Sequence, residues 1–307
     1  MDSSKLSSHI VLYLISSLVL SCSMKEINLI YIDSKIQQNY PSGSTITYLN
    51  NHFYIMGDDA SEMLVLNEDL KSKPSIPVFE KGENLRTPKA TKADIESSYT
   101  AQIDGKELIV LLGSGSLTPH RDTAYVVNPE DSKVVRIDYS TFYNQLRKTF
   151  PLLNIEAATI IGDELALGIR ANTSFPDNYI ALASSNLQLP VFKRKILLEL
   201  PVENTGISGM DYDEKNDILF VTFSSEATAN NYEDGQVGES YLAIVLAAQG
   251  QLKSDVLKIK CLYKLSDLSI DFSYQKIESV SLVKGKRELL LVADDDLGET
   301  KLFRMKF

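Results

Sequence analysis

The sequence predicts an all-β domain with β-propeller architecture, and three observations lead to this prediction. Beyond residue 22, short runs of alternating apolar residues are separated by Gly, Asn, Asp and Pro, which is typical of strands joined by turns. A strand–turn–strand unit then recurs five times, at intervals typical of propeller blades. Finally, the two ends of the chain supply complementary parts of one blade.

The recurring unit is a strand that opens with an apolar residue and Glu, a tight polar turn, and a second strand of apolar residues. Two further strands usually follow it. The equivalent positions lie 49, 60, 52 and 70 residues apart and are Thr47, Glu96, Glu156, Ser208 and Glu278. Five blades fit these intervals best, and a sixth blade inside the long fourth unit is the alternative.

The ends of the chain predict how the ring closes. The last unit supplies only three strands before Phe307, and the stretch Glu26–Ile32 is a strand without a partner. Joining the two would complete the last blade and leave no exposed edge. Between the second and third units, Ser140–Phe150 has helical spacing with Ser140 available as N-cap. The polar stretch Glu80–Lys92 is expected to be an exposed inter-blade loop.

The N-terminus reads as a targeting segment. The apolar run Ile10–Leu20 is too short to span a bilayer and has the length of a signal-peptide core. It leads into Val19–Cys22, which resembles a bacterial lipobox, where the Cys is lipidated. We therefore expect residues 1–21 to be a lipoprotein signal peptide, 22–25 a lipid-anchored N-terminus with lipidation at Cys22, and 26–307 a single propeller domain. The expected location is the bacterial cell envelope, on the periplasmic or cell-surface side, and a plain secretory signal is the alternative.

Composition excludes several classes of function. The 31 Lys and Arg residues against 41 Asp and Glu give a net charge of −10, and phosphate backbones repel such a domain, so no nucleic acid partner is expected. Two distant Cys and few His offer neither a disulfide framework nor zinc-ligand spacing. The run Gly113–Asp122 contains Ser, His and Asp but matches no nucleophile elbow. We expect His120 and Arg121 of this run to be exposed at the channel face.

The repeated Glu predicts an acidic ring. The first strand of every propeller blade lines the central channel, so Glu96, Glu156 and Glu278 should crowd one mouth. The second strands end at the same face and bring Asp58, Arg170 and Asp294 there. Because three neighbouring carboxylates repel one another, a cation, a proton or a ligand must compensate them.

Oxygen ligands suit Ca²⁺ rather than zinc, so Ca²⁺ is a possible cofactor, with Glu96, Glu156 and Glu278 as candidate metal ligands. The other candidates for compensation are Arg170 and a cationic or polyhydroxylated ligand. A purely structural role, with the carboxylates satisfied by backbone N–H groups and water, is the alternative.

Four segments carry a resemblance to a known family: Ala93–Glu96 (ADIE), Leu111–Ser116 (LLGSGS), Leu153–Ala158 (LNIEAA) and Gly168–Asn172 (GIRAN). With the lipoprotein signal, they resemble an uncharacterised family of bacterial lipoprotein propellers, over roughly residues 44–307. The chain is also distantly similar to phytase-like (esterase-like) and SdiA-regulated propellers, in which Asp-Ile/Leu-Glu-Gly opens blades. This chain has Ala or Ser where those relatives often have Gly. The resemblance implies the fold but no activity, since propellers host enzymes, receptors and scaffolds alike.

These observations together predict a non-catalytic ligand-binding or scaffolding propeller lipoprotein. Its ligand, a small molecule, glycan or protein, would bind at a mouth lined by Glu96, Glu156, Glu278, Asp58, Arg170 and Asp294. The alternative is a Ca²⁺-dependent phytase-like or esterase-like hydrolase at the same acidic ring. Whether the protein is an enzyme is left open, and no catalytic residue is assigned. The lipid anchor would make the membrane a second partner.

Overall fold

The computed structural model describes residues 27–80, 86–226, 237–294 and 299–307. In these residues, five sheets surround a central channel, antiparallel except for one short edge strand, which confirms the predicted five-bladed propeller. The predicted signal peptide and Cys22 lie outside the described residues. Within the described ranges, no helix is both long enough and apolar enough to cross a membrane.

The strands of each blade follow one another from the channel outward. The bounds are, for blade 1, β2 (Gly43–Leu49), β3 (His52–Gly57), β4 (Glu62–Asn67) and β5 (Ser72–Pro77); for blade 2, β6 (Ile95–Ile103), β7 (Lys106–Gly113), β8 (Thr123–Asn128) and β9 (Lys133–Asp138); for blade 3, β10 (Ile155–Ile161), β11 (Glu164–Ile169), β12 (Asn178–Ser184) and β13 (Phe192–Leu198); for blade 4, β14 (Thr205–Asp213), β15 (Ile218–Glu226), β16 (Val237–Leu246) and β18 (Cys261–Lys264); and for blade 5, β19 (Lys276–Val283), β20 (Glu288–Asp294), β21 (Thr300–Lys306) and β1 (Ile30–Gln37).

The hydrophobic core lies between blades rather than within a single layer. Each apolar cluster combines side chains from successive blades, and one joins blade 1 to blades 2 and 5. The second strands are therefore buried on both faces, as β7 shows from Val110 to Leu112. This burial explains why these strands appear in the sequence as continuous apolar runs.

The N-terminal strand closes the ring as predicted. Strand β1 pairs antiparallel with β21, from Ile30 opposite Lys306 to Gln37 opposite Thr300. The strand begins later than the predicted Glu26–Ile32. The preceding residues pack against blade 4 instead, since Leu29 is buried in the core between blades 4 and 5 and the Ile27 carbonyl accepts a hydrogen bond from the Tyr263 hydroxyl.

The described residues of the long fourth unit contain no sixth blade. Its additional residues form the short helix α2 (Ala248–Gln251) and strand β17 (Val256–Leu257). Strand β17 pairs in parallel with β13, so it becomes a fifth strand of blade 3.

The predicted helix is present as α1 (Ser140–Arg147), and it packs Phe142, Tyr143 and Leu146 into the core between blades 2 and 3. The predicted N-cap is wrong by one position. Tyr139 occupies the cap without a side-chain hydrogen bond, and the Ser140 N–H instead donates to Asp138 Oδ1 at 2.9 Å.

Candidate functional site

The first strand of every blade has a β-bulge at the same place, near its start. In the register with the second strand, one residue is skipped each time: Ser44, Glu96, Glu156, Ser208 and Glu278. A bulge re-aims the side chain of the extra residue and interrupts the ladder locally. The bulge therefore defines five equivalent positions, one per blade, at one mouth of the channel.

This register corrects the alignment of the first blade. Ser44, rather than Thr47, is the equivalent of the glutamates. Thr47 lies further along β2 in regular pairing with Tyr54, and its hydroxyl forms a hydrogen bond of 2.7 Å with Ser98 inside the channel. The Ile-Thr pair at 46–47 imitates the Ile-Glu motif in sequence, but it lies beyond the bulge.

Glu96 shows that neighbouring blades meet at this mouth. Its carboxylate accepts a hydrogen bond from the Ser44 hydroxyl of blade 1. The pKa of Glu96 is raised well above its usual range by burial, by the charge of Glu156 in blade 3, and by Asp94 and Asp58, while Lys92 opposes the shift. Carboxylates of three blades thus share one electrostatic environment.

Glu156 is held by two neighbours. Asn154 Nδ2 donates to Glu156 Oε1 at 2.5 Å, and Arg170 Nη1 lies 3.6 Å from Oε2. Burial raises the pKa of Glu156 to about 7, with Glu278 adding to the shift and Arg170 opposing it. Near neutral pH this carboxyl group can therefore either donate or accept a proton.

Glu278 completes the acidic ring from blade 5. Its Oε1 lies 3.0 Å from Lys276 Nζ, two residues earlier on the same strand. The charge of Glu278 raises the pKa of Glu156, although blade 4 lies between the two blades that carry them. The ring therefore spans the channel. Ser208 of blade 4 is fully buried and hydrogen-bonded to Thr222.

A buried lysine lies beside the ring. Lys92 Nζ contacts the carboxylates of Asp58 and Asp94, the latter at 2.7 Å. Burial acts to lower the pKa of Lys92, but Asp94, Asp58 and Glu96 raise it above its ordinary value, so the ammonium group stays charged. The side chain is only 9% exposed, which corrects the expectation that the loop up to Lys92 lies fully in solvent. Residues 81–85 of that loop lie outside the described residues.

Asp94 is also bound by a second cation. Arg121 Nη1 donates to Asp94 Oδ2 at 2.6 Å and to Ser116 Oγ at 2.7 Å. Arg121 is buried, whereas the adjacent His120 is exposed, so the prediction of an exposed Arg121 is wrong. The reason is electrostatic, since a buried carboxylate such as Asp94 requires a charged or hydrogen-bonding partner.

Asp58, Asp94 and Glu96 form the one group of three acidic side chains, among the described residues, whose oxygens all lie within 4.8 Å of one another. This group shares Glu96 with the predicted metal ligands but includes neither Glu156 nor Glu278. Lys92 already places a positive charge in the group.

Asp294 lies at the edge of the mouth. It ends β20, opposite Lys276 in the register, and is partly buried. The Arg86 guanidinium nearby binds Asp59 at 2.6 Å. Burial acts to lower the pKa of Arg86, while Asp59, Asp58 and Asp294 raise it. The predicted residues Glu96, Glu156, Glu278, Asp58, Arg170 and Asp294 thus all lie at or beside this mouth.

Five residues of the site were not predicted from the sequence, namely Ser44, Lys92, Asp94, Asn154 and Lys276, and Arg121 was expected at the channel face but as an exposed residue. One signal was available, because a polar residue precedes each glutamate by two positions, namely Asp94, Asn154 and Lys276. Lys92 and Arg121 come from loops and gave no such signal.

Gly206 makes room for Arg170. A Cβ atom at Gly206 would lie 2.4 Å from Arg170 Cγ and 2.9 Å from its Nε. Arg170 therefore reaches Glu156 and the Ser224 hydroxyl, which accepts its hydrogen bond at 3.2 Å, only because residue 206 has no side chain.

The channel also opens at the opposite face, where a cavity of about 830 Å³ is lined by the far halves of the inner strands and the hairpin turns that follow them. Asp211 lies in its wall and accepts hydrogen bonds from Leu282 N–H at 2.7 Å and from the Ser281 hydroxyl. None of the three ring glutamates lines this cavity. The two mouths are therefore chemically distinct.

The blades, the closure by β1 and the acidic mouth define a five-bladed β-propeller with a polar, charge-compensated channel entrance. Residues 39–307 match a family of unknown function, DUF6929, and the chain belongs to that family. No curated protein matches the chain.

One solved structure supports the fold, and a second matches over a similar length. A glutaminyl cyclase from Myxococcus xanthus is 9% identical, with 91% of this chain and 96% of that chain covered and a TM-score of 0.53. A member of the DUF4221 family from Bacteroides vulgatus is 9% identical, with 92% and 99% covered and a TM-score of 0.44. At this identity the likeness to the first structure concerns the propeller fold alone. The resemblance to phytase-like and SdiA-regulated propellers stays a prediction.

Proposed function

We propose that this chain is a non-catalytic ligand-binding propeller of the bacterial cell envelope, anchored through lipid at Cys22. Its acidic mouth would bind a small ligand that carries hydroxyl or ammonium donors. The observation that supports this proposal is the bulge repeated in all five blades, which puts a polar residue at the equivalent position of every blade and a glutamate there in three of them. Interrupting five ladders costs backbone pairing, and bulges are over-represented next to functional sites.

The chemistry of the mouth favours a donor-rich ligand. Glu96 is partly exposed there, and Glu156 and Glu278 lie near it. Carboxylate oxygens accept hydrogen bonds from hydroxyl and ammonium groups. A ligand ammonium group would also relieve the mutual repulsion that raises the pKa values of Glu96 and Glu156.

The protein's own cations weigh against calcium. Lys92 lies between Asp58 and Asp94, Arg170 faces Glu156, and Lys276 faces Glu278. Each positive charge reduces the attraction of a divalent ion. We therefore favour an organic ligand over Ca²⁺ at this mouth.

Thermal unfolding with graded glucosamine, glucose and Ca²⁺ tests the proposal. A ligand at about one hundred times its dissociation constant stabilises the fold by about 2.7 kcal/mol, which raises the midpoint by several degrees. We expect a saturable rise with glucosamine that Glu156→Gln abolishes. The matched control is Glu164→Gln. Glu164 lies away from the ring, its side chain is more exposed, and its Oε2 is 2.7 Å from Lys193 Nζ. A rise with Ca²⁺ alone, or equal rises in both variants, would contradict the proposal.

Hydrolysis is the second candidate because Glu156 has a pKa of about 7, the range in which a general acid or base is most effective. The same purified proteins, incubated with aryl phosphate and aryl acetate esters, test it. Turnover that is present in the wild type and the Glu164→Gln control but lost in Glu156→Gln would favour a hydrolase over a binding protein.

A further inference from the structure

Exposed apolar side chains concentrate on the outer rim of blade 5. Strand β1 exposes Ile30, Ile32 and Ile36 to 57%, 47% and 47%. The segment that leads into β19 exposes Ile270 and Tyr274, each to 81%. We call the three isoleucines of β1 together with Ile270 the rim patch, and they are four of the ten exposed large apolar side chains in the described part of the chain.

Hydrogen bonds tie the two parts of the rim patch together. The Tyr31 hydroxyl and the Ser34 hydroxyl both donate to Asp271 Oδ2, and Lys301 Nζ donates to the Asp271 carbonyl at 3.2 Å. In the pairing with β21, Ser34 lies opposite Phe303 and Ile36 opposite Lys301, so both point to the side of the blade that bears Asp271, whereas Ile30, opposite Lys306, points to the other side of this edge strand. Ile270 is therefore held beside β1 rather than projecting on a free loop.

The short length of chain between Cys22 and β1 indicates which surface lies against the rim patch. Ile27 is fixed to the rim, since its carbonyl accepts the Tyr263 hydroxyl and Leu29 is buried. Only four residues lie between Cys22 and Ile27, so the Cα atoms of these two residues are at most about 18 Å apart in extended chain. A bilayer that holds the lipid on Cys22 is thus confined to the vicinity of this rim.

We propose that the rim patch lies on the lipid surface to which the chain is anchored, so that the propeller rests on the membrane by the edge of blade 5. This inference depends on the lipid anchor of the proposed function. The anchor makes the contact intramolecular, so a few interfacial apolar and aromatic side chains suffice to orient the domain. Because the contact uses the outer strand, both mouths of the channel stay open to the ligand.

The charges of the rim do not favour one lipid headgroup. One acidic and one basic residue, Asp33 and Lys35, lie between Ile32 and Ile36 on β1, and Asp271 is compensated by its hydrogen bonds. The contact is therefore apolar in origin, and zwitterionic phosphatidylcholine vesicles are the appropriate probe.

The absence of Trp from the sequence permits a direct test. The full chain, produced in a bacterium that processes lipoproteins, is purified in detergent and reconstituted into phosphatidylcholine vesicles with and without brominated chains. Single variants Ile270→Trp and Ile36→Trp report on the rim patch. Val135→Trp is the matched control, since Val135 is a 46% exposed apolar residue on β9, the outer strand of blade 2, away from blade 5.

We expect brominated lipid to reduce the fluorescence of Ile270→Trp and Ile36→Trp about twofold, because interfacial side chains reach the acyl boundary, and to leave Val135→Trp unchanged. Equal quenching of all three, or of none in protein that floats with the vesicles, overturns the rim contact while leaving the anchor and the ligand site intact. Protein that does not float and whose Cys22 carries no lipid by mass spectrometry overturns the anchor and this proposal together, and the ligand titration then stands by itself.

Discussion

At the scale of the residue, the acidic ring is stable because every glutamate has its own means of compensation. Glu156 has the Asn154 amide and the Arg170 guanidinium, Glu278 has Lys276, and Glu96 has the Ser44 hydroxyl. Compensation is incomplete at Glu156, whose pKa of about 7 leaves it partly protonated at neutral pH. A bound proton thus neutralises part of the negative charge that a cationic ligand would otherwise compensate.

The pKa of Glu156 predicts the pH dependence of stability. The folded pKa of about 7 lies above the ordinary value of 4.5, so the folded protein keeps a proton that the unfolded chain releases. The free energy of unfolding therefore falls as the pH rises from about 4.5 to about 7, by about 3 kcal/mol from this group. Glu156→Gln removes this contribution.

Urea unfolding at about pH 5 and about pH 8 measures it, and the decrease between the two should be smaller in Glu156→Gln than in the wild type. Glu164→Gln serves as the control and should keep the wild-type decrease. Parallel pH profiles for all three proteins would show that Glu156 titrates normally.

At the scale of the element, the sequence predicts the strands better than the loops. The Ile-Glu pairs recur because the first strand of each blade must present the same residue at the same bulge, and this periodicity is visible in the chain. The bulge itself is not visible, since it depends on the register with the second strand. The sequence therefore aligns Thr47 with the glutamates, although Ser44 occupies the equivalent position in the structure.

The burial of loop residues is not predictable from the loop sequence alone, because it depends on interaction partners in other segments. Lys92 stands in a polar stretch that reads as solvent-exposed, yet Asp58 of blade 1 and Asp94 draw it into the mouth. Arg121 follows an exposed His120 and is buried for the same reason. No local pattern contains this information, because the carboxylates concerned are up to 34 residues away.

The buried lysine predicts a large loss of stability on substitution. Lys92→Met keeps the apolar stem but leaves Asp58 and Asp94 without the ammonium group. Breaking a buried pair by removing one partner costs about 3–5 kcal/mol. The control is Lys71→Met, since Lys71 is 75% exposed and lies 3.8 Å from Asp69, and the expected change there is below about 1 kcal/mol. Urea unfolding measures both, and a similar small change in the two variants would mean that the carboxylates find other donors.

At the scale of the whole molecule, the ring closes between segments at opposite ends of the chain. Strands β1 and β21 pair although about 270 residues separate them, so blade 5 is completed only when the two ends of the described chain meet. Contacts of such long range are slow to form, since their loop entropy is lost before they contribute stability. Until β1 docks, the edge of β21 is a free template for pairing with other chains.

This topology predicts that moving β1 to the other end of the chain preserves the fold. Ile30 lies opposite Lys306, so a short Gly-rich link from Phe307 to Ile27 would turn β21 and β1 into a local hairpin, with the new chain starting at residue 38. We expect the permuted protein to unfold cooperatively within about 5 °C of the 27–307 reference and to refold faster, because closure becomes local. A chain of residues 38–307 without β1 is the control and should aggregate through the unpaired edge of β21. If that chain instead remains monomeric and as stable as the reference, β1 contributes little to the stability of blade 5 and is not needed to protect the edge of β21.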